Sequence, residues 1–133
     1  MADQTFLSWP FFEDHHRVLA ADLDEWAKDA LDTIDHSDTD AACRKLVTLL
    51  GEAGIAKYSG AENGHLDVRT LCLIRETLAR HDGLADFVFA MQGLGTGAIS
   101  LFGTYKQKSE WLPKTRSWTA VSAFALTLSL IHI

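Results

Sequence analysis

The sequence predicts an all-α fold in which amphipathic helices of one domain form a bundle. Its 133 residues are the size of a single domain. The 47% hydrophobic and 23% charged shares are those of a globular protein that can build a core. The two prolines are few, and the nine glycines cluster in residues 51–64 and 83–103, so long stretches lack helix breakers.

The charge balance and the two cysteines exclude several classes of protein. Twelve basic against 18 acidic residues give a net charge of −6 without any basic run, which argues against binding to nucleic acid or to an anionic membrane surface.

The N-terminus lacks the pattern of a signal or transit peptide, and no apolar run approaches about 20 residues. We therefore expect a cytoplasmic protein with no membrane segment. Cys43 and Cys72 form no metal-binding spacing and are expected to be reduced core thiols.

The first two helices follow from their apolar periodicity. Within residues 11–34 one stripe of a helix is formed by Leu19, Leu23, Trp26, Ala27, Ala30 and Ile34. Ser37 and Asp40 are expected to form a capping box at the start of the second helix. Gly54 is a natural stop for that helix.

The middle of the chain predicts a loop and a third helix. Residues 57–66 contain two glycines and no periodicity, so they are expected to form a surface loop. Asp67 can cap the third helix, which His81, Asp82 and Gly83 should end.

The segment from Gly83 to Gly103 is apolar nearly all round and rich in small residues. This composition predicts a buried central helix or a broken pair of helices. Thr104 and Gln107 form a capping box for a short fifth helix, which Pro113 is expected to terminate. Residues 120–126 are expected to start a β-strand.

Two residue patterns resemble those of known binding sites. Glu13-x-x-His16 has the spacing of a di-iron helix, but its only counterpart, Glu62-x-x-His65, lies among glycines, so a polar first turn without metal is favoured. The glycines of G-L-G-T-G at 93–97 follow no predicted strand, so close helix packing is favoured over dinucleotide binding. The sequence contains no G-x-S-x-G, P-loop or H-E-x-x-H motif.

The order of these features resembles the N-terminal half of an acyl-CoA dehydrogenase. The resemblance is carried by the segments FFEDHHRVLAADLDEWA, LLGEAGIAKYSG, LCLIRETLARHDGLADFVFAMQGLG, LFGTYKQKSEWLPKTRSW and AFALT. It implies an N-terminal helical bundle over residues 1–119 and, over residues 120–127, the first β-strand of a truncated middle domain. It also implies an FAD-dependent enzyme that dehydrogenates an acyl-CoA thioester between its α and β carbons and passes a hydride to flavin N5.

The resemblance also implies site residues and partners. Phe124, Leu126 and Thr127 match the family's aromatic-x-x-Thr motif, whose strand touches the flavin, and are implied to bind FAD. Phe87 and Leu94 are implied to line the acyl end of the substrate pocket. The implied partners are an acyl-CoA substrate, an electron-transfer acceptor and further copies of the same chain. No catalytic residue is assigned, because the resemblance places the catalytic base outside this sequence.

The sequence departs from the family after Thr127, where the family continues Glu-Pro. The last residues, LSLIHI, can be encoded by CTG TCT CTT ATA CAC ATC, which resembles a transposon end used in sequencing libraries. Residues 128–133 are therefore expected to be non-native and the fragment to be inactive. Trp118, where relatives tend to have a small residue, is a second departure.

Two other hypotheses remain open at this point. The chain could be a small helical binding or interaction module that uses the apolar faces of residues 87–101 and carries no flavin. Alternatively, it could be a di-iron protein that loses its iron when His16 is changed to alanine. Flavin absorbance and metal analysis distinguish these two hypotheses from a flavoenzyme.

Overall fold

A computed structural model describes residues 3–61 and 65–125 of the chain. The predictions for Glu62, Leu126, Thr127 and residues 128–133 lie outside the described residues. The described part has five α-helices, with short 3₁₀ helices at Thr5–Ser8 and Ile55–Ser59. The α-helices are α1 (Asp14–Leu31), α2 (Thr39–Glu52), α3 (Val68–His81), α4 (Gly83–Phe102) and α5 (Tyr105–Arg116). The all-α prediction is confirmed.

Helix α4 is one unbroken helix at the centre of the bundle. It contacts α2, α3, α5 and the 3₁₀ helix Ile55–Ser59, while α1 packs on α3. The core between these elements is made of aliphatic side chains, one phenylalanine and one tryptophan, among them Leu23, Ala27, Leu46, Leu50, Ile74, Leu78, Phe89 and Trp118. Each such large side chain contributes about 1.5–3 kcal/mol when it is fully buried. The apolar stripe predicted for α1 therefore faces the core, although Trp26 is only partly buried.

Helix α4 is also the one helix of the described residues that is long and apolar enough to cross a membrane by length and composition alone. The expectation that no apolar stretch reaches this length was therefore wrong. Within its most apolar window 28% is buried, and the helix is in contact with three others. A helix in the core of a bundle can have the same length and apolar composition.

The helix starts show which polar residues act as caps. The Asp67 carboxylate accepts hydrogen bonds from the backbone N–H groups of Arg69 and Thr70, and Thr104 and Gln107 form the predicted capping box. The prediction for α2 was wrong, because its N-cap is Asp38, whose carboxylate accepts from Ala41 N–H at 3.0 Å. Ser37 lies in the preceding turn, where its own N–H donates to Asp35.

Pro113 does not end α5, which continues to Arg116. The Thr115 hydroxyl donates to the carbonyls of Trp111 and Leu112, so this last turn has hydrogen bonds from a side chain as well as from the backbone. Thr115 is buried, and its carbonyl accepts a hydrogen bond from Gln92 on α4. A tertiary contact thus holds the turn that the local effect of proline would disfavour.

Three further expectations need correction. The surface loop predicted from residue 57 begins instead as a 3₁₀ helix, and Ser59, Gly60 and Ala61 are buried. Cys72 is exposed on α3 and is not a core thiol. The strand expected from residue 120 does not form within residues 120–125, because a strand needs a partner and the described residues supply none.

Trp118 anchors the chain after α5 in an unusual backbone conformation. Its φ of 56° is the only positive value among the described non-glycine residues, yet its side chain is only 8% exposed. The side chain lies over Gly51 of α2, where an added Cβ would come within 3.3 Å of the Trp118 Cβ. Burial of the indole therefore offsets a strained backbone.

Two substitutions separate these opposing effects. Trp118→Ala should lower the free energy of unfolding by about 3–5 kcal/mol, because the packing is lost while the strain remains. Trp118→Gly should be about 1 kcal/mol more stable than Trp118→Ala, because glycine adopts a positive φ without strain. Urea unfolding measures the free energy of unfolding of both variants. Trp111→Ala is the control: Trp111 is half-exposed, so its substitution should lower the free energy of unfolding clearly less. Equal stability of the alanine and glycine variants would contradict this account.

Candidate functional site

A cavity of about 260 Å³ lies between α3, α4 and the buried segment 59–61. Its walls are largely apolar and include many small residues. They are formed by Ser59, Gly60, Ala61, Leu66, Leu71, Arg75, Phe89, Ala90, Gly93, Leu94, Gly97, Ser100 and Leu101. Such a lining excludes water from its deeper part and suits a hydrocarbon group.

Two glycines of α4 leave space for different parts of the structure. At Gly97 an added Cβ would meet no atom within 4 Å, so the missing side chain leaves open space in the cavity. At Gly95 an added Cβ would lie 2.6 Å from the Ser122 Cβ and 2.7 Å from the Ala123 nitrogen. Gly95 therefore lets the chain after α5 cross directly over the helix.

The buried side chain of Gln92 fixes this crossing. It is 1% exposed, and its Nε2 donates to the carbonyls of Thr115 at 2.8 Å and Ala120 at 2.9 Å. Its Oε1 accepts from Ser122 N–H at 2.8 Å, and the Ser122 hydroxyl donates to the Gln92 carbonyl at 2.8 Å. One amide thus uses both donors and its acceptor to hold the segment that leads to Phe124.

The structure brings together only some of the site residues that the sequence indicated. Leu94 lines the cavity and is 53% exposed, whereas Phe87 is 59% exposed and is not part of the lining. Phe124 is 46% exposed at the end of the segment that Gln92 holds. Leu126 and Thr127 lie outside the described residues. These positions leave the functional roles of all five residues as predictions.

Sequence reasoning missed the polar residues of α4. Gln92, Thr96 and Ser100 are spaced by four residues and are all buried, which places them on one face of the helix. Polar residues at helical spacing inside an otherwise apolar segment were a signal that these side chains have specific partners. The partners of the Gln92 amide, and the Ser59 carbonyl near Thr96, lie far away in the sequence and could not be identified from the pattern.

The Glu13-x-x-His16 pattern belongs to a polar cluster that joins α1 to α3. Fully buried His16 accepts a hydrogen bond from Glu13 N–H at Nδ1 (3.0 Å), and its Nε2 faces Asp67 Oδ2 at 3.1 Å. The Glu13 N–H can only donate, so the neutral ring carries its proton on Nε2 and donates it to Asp67. This is the polar first turn that was favoured, in the form of a capping box.

A metal ion would disrupt this cluster. Donor atoms of His15, His16 and Asp67 lie within 4.8 Å of one another, so the spacing alone would permit a metal. A metal on His16 Nε2 would require the lone pair that this tautomer uses for its proton, and the cap on Glu13 would be lost. The Arg69 guanidinium, which donates to Glu13 Oε1 at 2.9 Å, adds a positive charge beside the cluster. The chemistry therefore favours a structural role.

Asp67 is the acceptor at the centre of the cluster. Partial burial would raise its pKa, but hydrogen bonds from the Thr70 hydroxyl and N–H and from His16 outweigh that effect and lower the pKa well below its usual range. The charged carboxylate is therefore the form that stabilises the junction between α1 and α3.

The lowered pKa of Asp67 predicts an acid-sensitive contribution to stability. Above about pH 4 the charged Asp67 contributes fully, and the contribution is lost as the pH falls toward its folded pKa. Asp67→Ala should lower the free energy of unfolding by about 1–2 kcal/mol at neutral pH, and the gap to the parent should narrow below about pH 4. Chemical denaturation at several pH values measures this gap. A gap that stays constant down to pH 3 would show that the carboxylate charge has no role.

Comparison with known families identifies the fold. Residues 13–118 match the model of the acyl-CoA dehydrogenase N-terminal domain, a range that includes all of α1 to α5. The chain therefore belongs to the acyl-CoA dehydrogenase family through this domain, as the sequence resemblance indicated. A search of curated proteins returned no match. The family match ends before Phe124 and so does not include the segment implied to touch the flavin.

Proposed function

We propose that this chain is the N-terminal domain of an FAD-dependent acyl-CoA dehydrogenase and that the cavity between α3 and α4 receives the acyl chain of the substrate. The proposal is carried by the apolar cavity on α4, with open space at Gly97, in a domain of this family. The proposed reaction removes the α-proton and the β-hydride of an acyl-CoA thioester. The chain's own contribution is binding, because it supplies neither the base nor the hydride acceptor.

The walls of the cavity would orient the substrate by excluding water. Leu71 of α3 and Leu94 and Leu101 of α4 offer contact to methylene groups, and each methylene transferred from water contributes about 0.8 kcal/mol. Binding energy from this part of the substrate can position the distant thioester for reaction. Phe87, outside the lining, would contact substrate only near the surface of the domain.

The end of the described chain is proposed to contact one edge of a flavin. Phe124 presents a half-exposed aromatic ring on which a flat heteroaromatic ring can stack, and the Gln92 hydrogen bonds fix the backbone that leads to it. When bound, FAD would accept the hydride. Leu126 and Thr127 are proposed to continue this contact. Flavin absorbance of protein purified from an uninterrupted reading frame tests this part of the proposal.

The remaining partners and the location are part of the same proposal. An electron-transfer acceptor would reoxidise the flavin, further copies of the complete protein would form a homo-oligomer, and the location would be the cytoplasm. The second candidate function is a small interaction module without catalysis. Its support is the exposed apolar surface of Phe87, Leu101 and Phe102 on α4.

Filling the cavity should weaken acyl binding without unfolding the domain. Gly97→Leu adds a side chain in open space, so we expect binding of decanoyl-CoA to this chain to weaken at least about tenfold, the equivalent of about 1.4 kcal/mol. Ala98→Leu is the matched control, since Ala98 is exposed, neighbours Gly97 and lies outside the cavity.

Isothermal titration measures the affinities, and thermal unfolding verifies that both variants remain folded. Unchanged affinity in Gly97→Leu would rule out this cavity as the acyl site.

A further inference from the structure

Ser100 places an unpaired hydroxyl in the wall of the apolar cavity. The residue is 3% exposed, and its Oγ has no hydrogen-bond partner in the described structure. A buried hydroxyl without a partner costs about 1–3 kcal/mol relative to a satisfied one. Ser59 and Arg75 also line the cavity but have partners within the chain, so Ser100 is the lining residue whose polar side chain is left unpaired.

The neighbouring polar residue on the same face shows that the missing bond is specific to Ser100. One turn earlier, the Thr96 hydroxyl lies within hydrogen-bond distance of the carbonyls of Ser59, Gln92 and Gly93. A serine within a helix commonly bonds back to the carbonyl four residues earlier, but Ser100 does not. Opposite Ser100 stands Gly60, whose absent side chain supplies no partner: a Cβ there would lie 3.5 Å from Oγ.

The charged residue at the cavity determines which kind of ligand oxygen can satisfy Ser100. Arg75 lines the cavity, but its guanidinium makes two hydrogen bonds of 2.8 Å to the Asp86 carboxylate. The Arg75–Asp86 pair is close to neutral. The described lining residues of the cavity therefore include no free cation that would attract a carboxylate at the far end of an acyl chain. A neutral oxygen is therefore favoured over a dicarboxylic acyl group.

We propose that the cavity is selective for acyl chains that carry a neutral oxygen, a hydroxyl or a carbonyl, which forms a hydrogen bond with Ser100 Oγ. This inference rests on the proposed function, because it assigns the substrate class of the same cavity. Ser100 is a specificity-determining residue in this role. A site that contains a hydroxyl for such a group discriminates against the analogue that lacks the oxygen, since its own polar atom then remains unpaired.

The test compares decanoyl-CoA with isomers of hydroxydecanoyl-CoA that carry the hydroxyl at successive carbons, each titrated into this chain. We expect one position to bind about threefold to tenfold more tightly than decanoyl-CoA, which is the net value of one hydrogen bond. Ser100→Ala should abolish that preference and bind all isomers no better than decanoyl-CoA. Ser109→Ala, on the exposed surface of α5, is the matched control and should retain the preference.

Stability measurements keep the test independent of folding defects. Because Ser100 Oγ has no partner among residues 3–61 and 65–125, Ser100→Ala should unfold at the parent's temperature or slightly above it. Tighter binding of a hydroxyacyl isomer that persists in Ser100→Ala would overturn the assignment of Ser100.

Equal affinity for all isomers in the parent, with Gly97→Leu still blocking them, would overturn the inference and leave the proposed function standing. Failure of every acyl-CoA to bind would overturn both.

Discussion

The buried amide of Gln92 is the interaction on which the arrangement of this domain depends. It pairs with backbone groups before and after the turn at Trp118 and joins them to the middle of α4. Each of these backbone groups would lose a hydrogen bond if the amide were removed, and a buried polar group left without any partner costs about 1–3 kcal/mol. Because the amide is fully satisfied, it specifies a single path for the chain that leaves α5. Hydrophobic burial alone would leave that path undetermined.

Helix α4 both binds neighbouring backbone and leaves space beside itself, because it combines buried polar residues with glycines. Its buried polar positions hold neighbouring backbone, while glycines reduce its bulk where the chain crosses at Gly95 and where the cavity opens at Gly97. The cavity and the segment that bears Phe124 are therefore fixed to the same rigid helix. In the proposed enzyme this shared support would keep the substrate and the flavin edge at a constant separation. Preorganisation of this kind would contribute to catalysis in the proposed enzyme.

The sequence predicted the parts of the fold that depend on local physics. Periodicity identified the first three helices, apolar composition the fourth and a capping box the fifth, and the caps at Asp67 and Thr104 were correct because capping is decided within one turn. The continuation of α5 past Pro113 and the burial of residues 59–61 were missed, because both depend on contacts with α4. For the site, the family resemblance indicated Leu94, which lines the cavity. The role of Gln92 could not be read from the sequence, since its partners lie 23 to 30 positions away.

Hydrogen exchange at the Ser122 amide tests the central claim most directly, because that N–H donates to Gln92 Oε1. If the amide of Gln92 holds the segment, Ser122 is protected in the parent chain, and Gln92→Leu accelerates its exchange by at least about tenfold. Core amides such as that of Leu46 should remain protected in this variant. Gln107→Leu, which removes an exposed capping amide on α5, should leave Ser122 unchanged. Exchange at Ser122 that is equally fast in the parent and in Gln92→Leu would contradict the account.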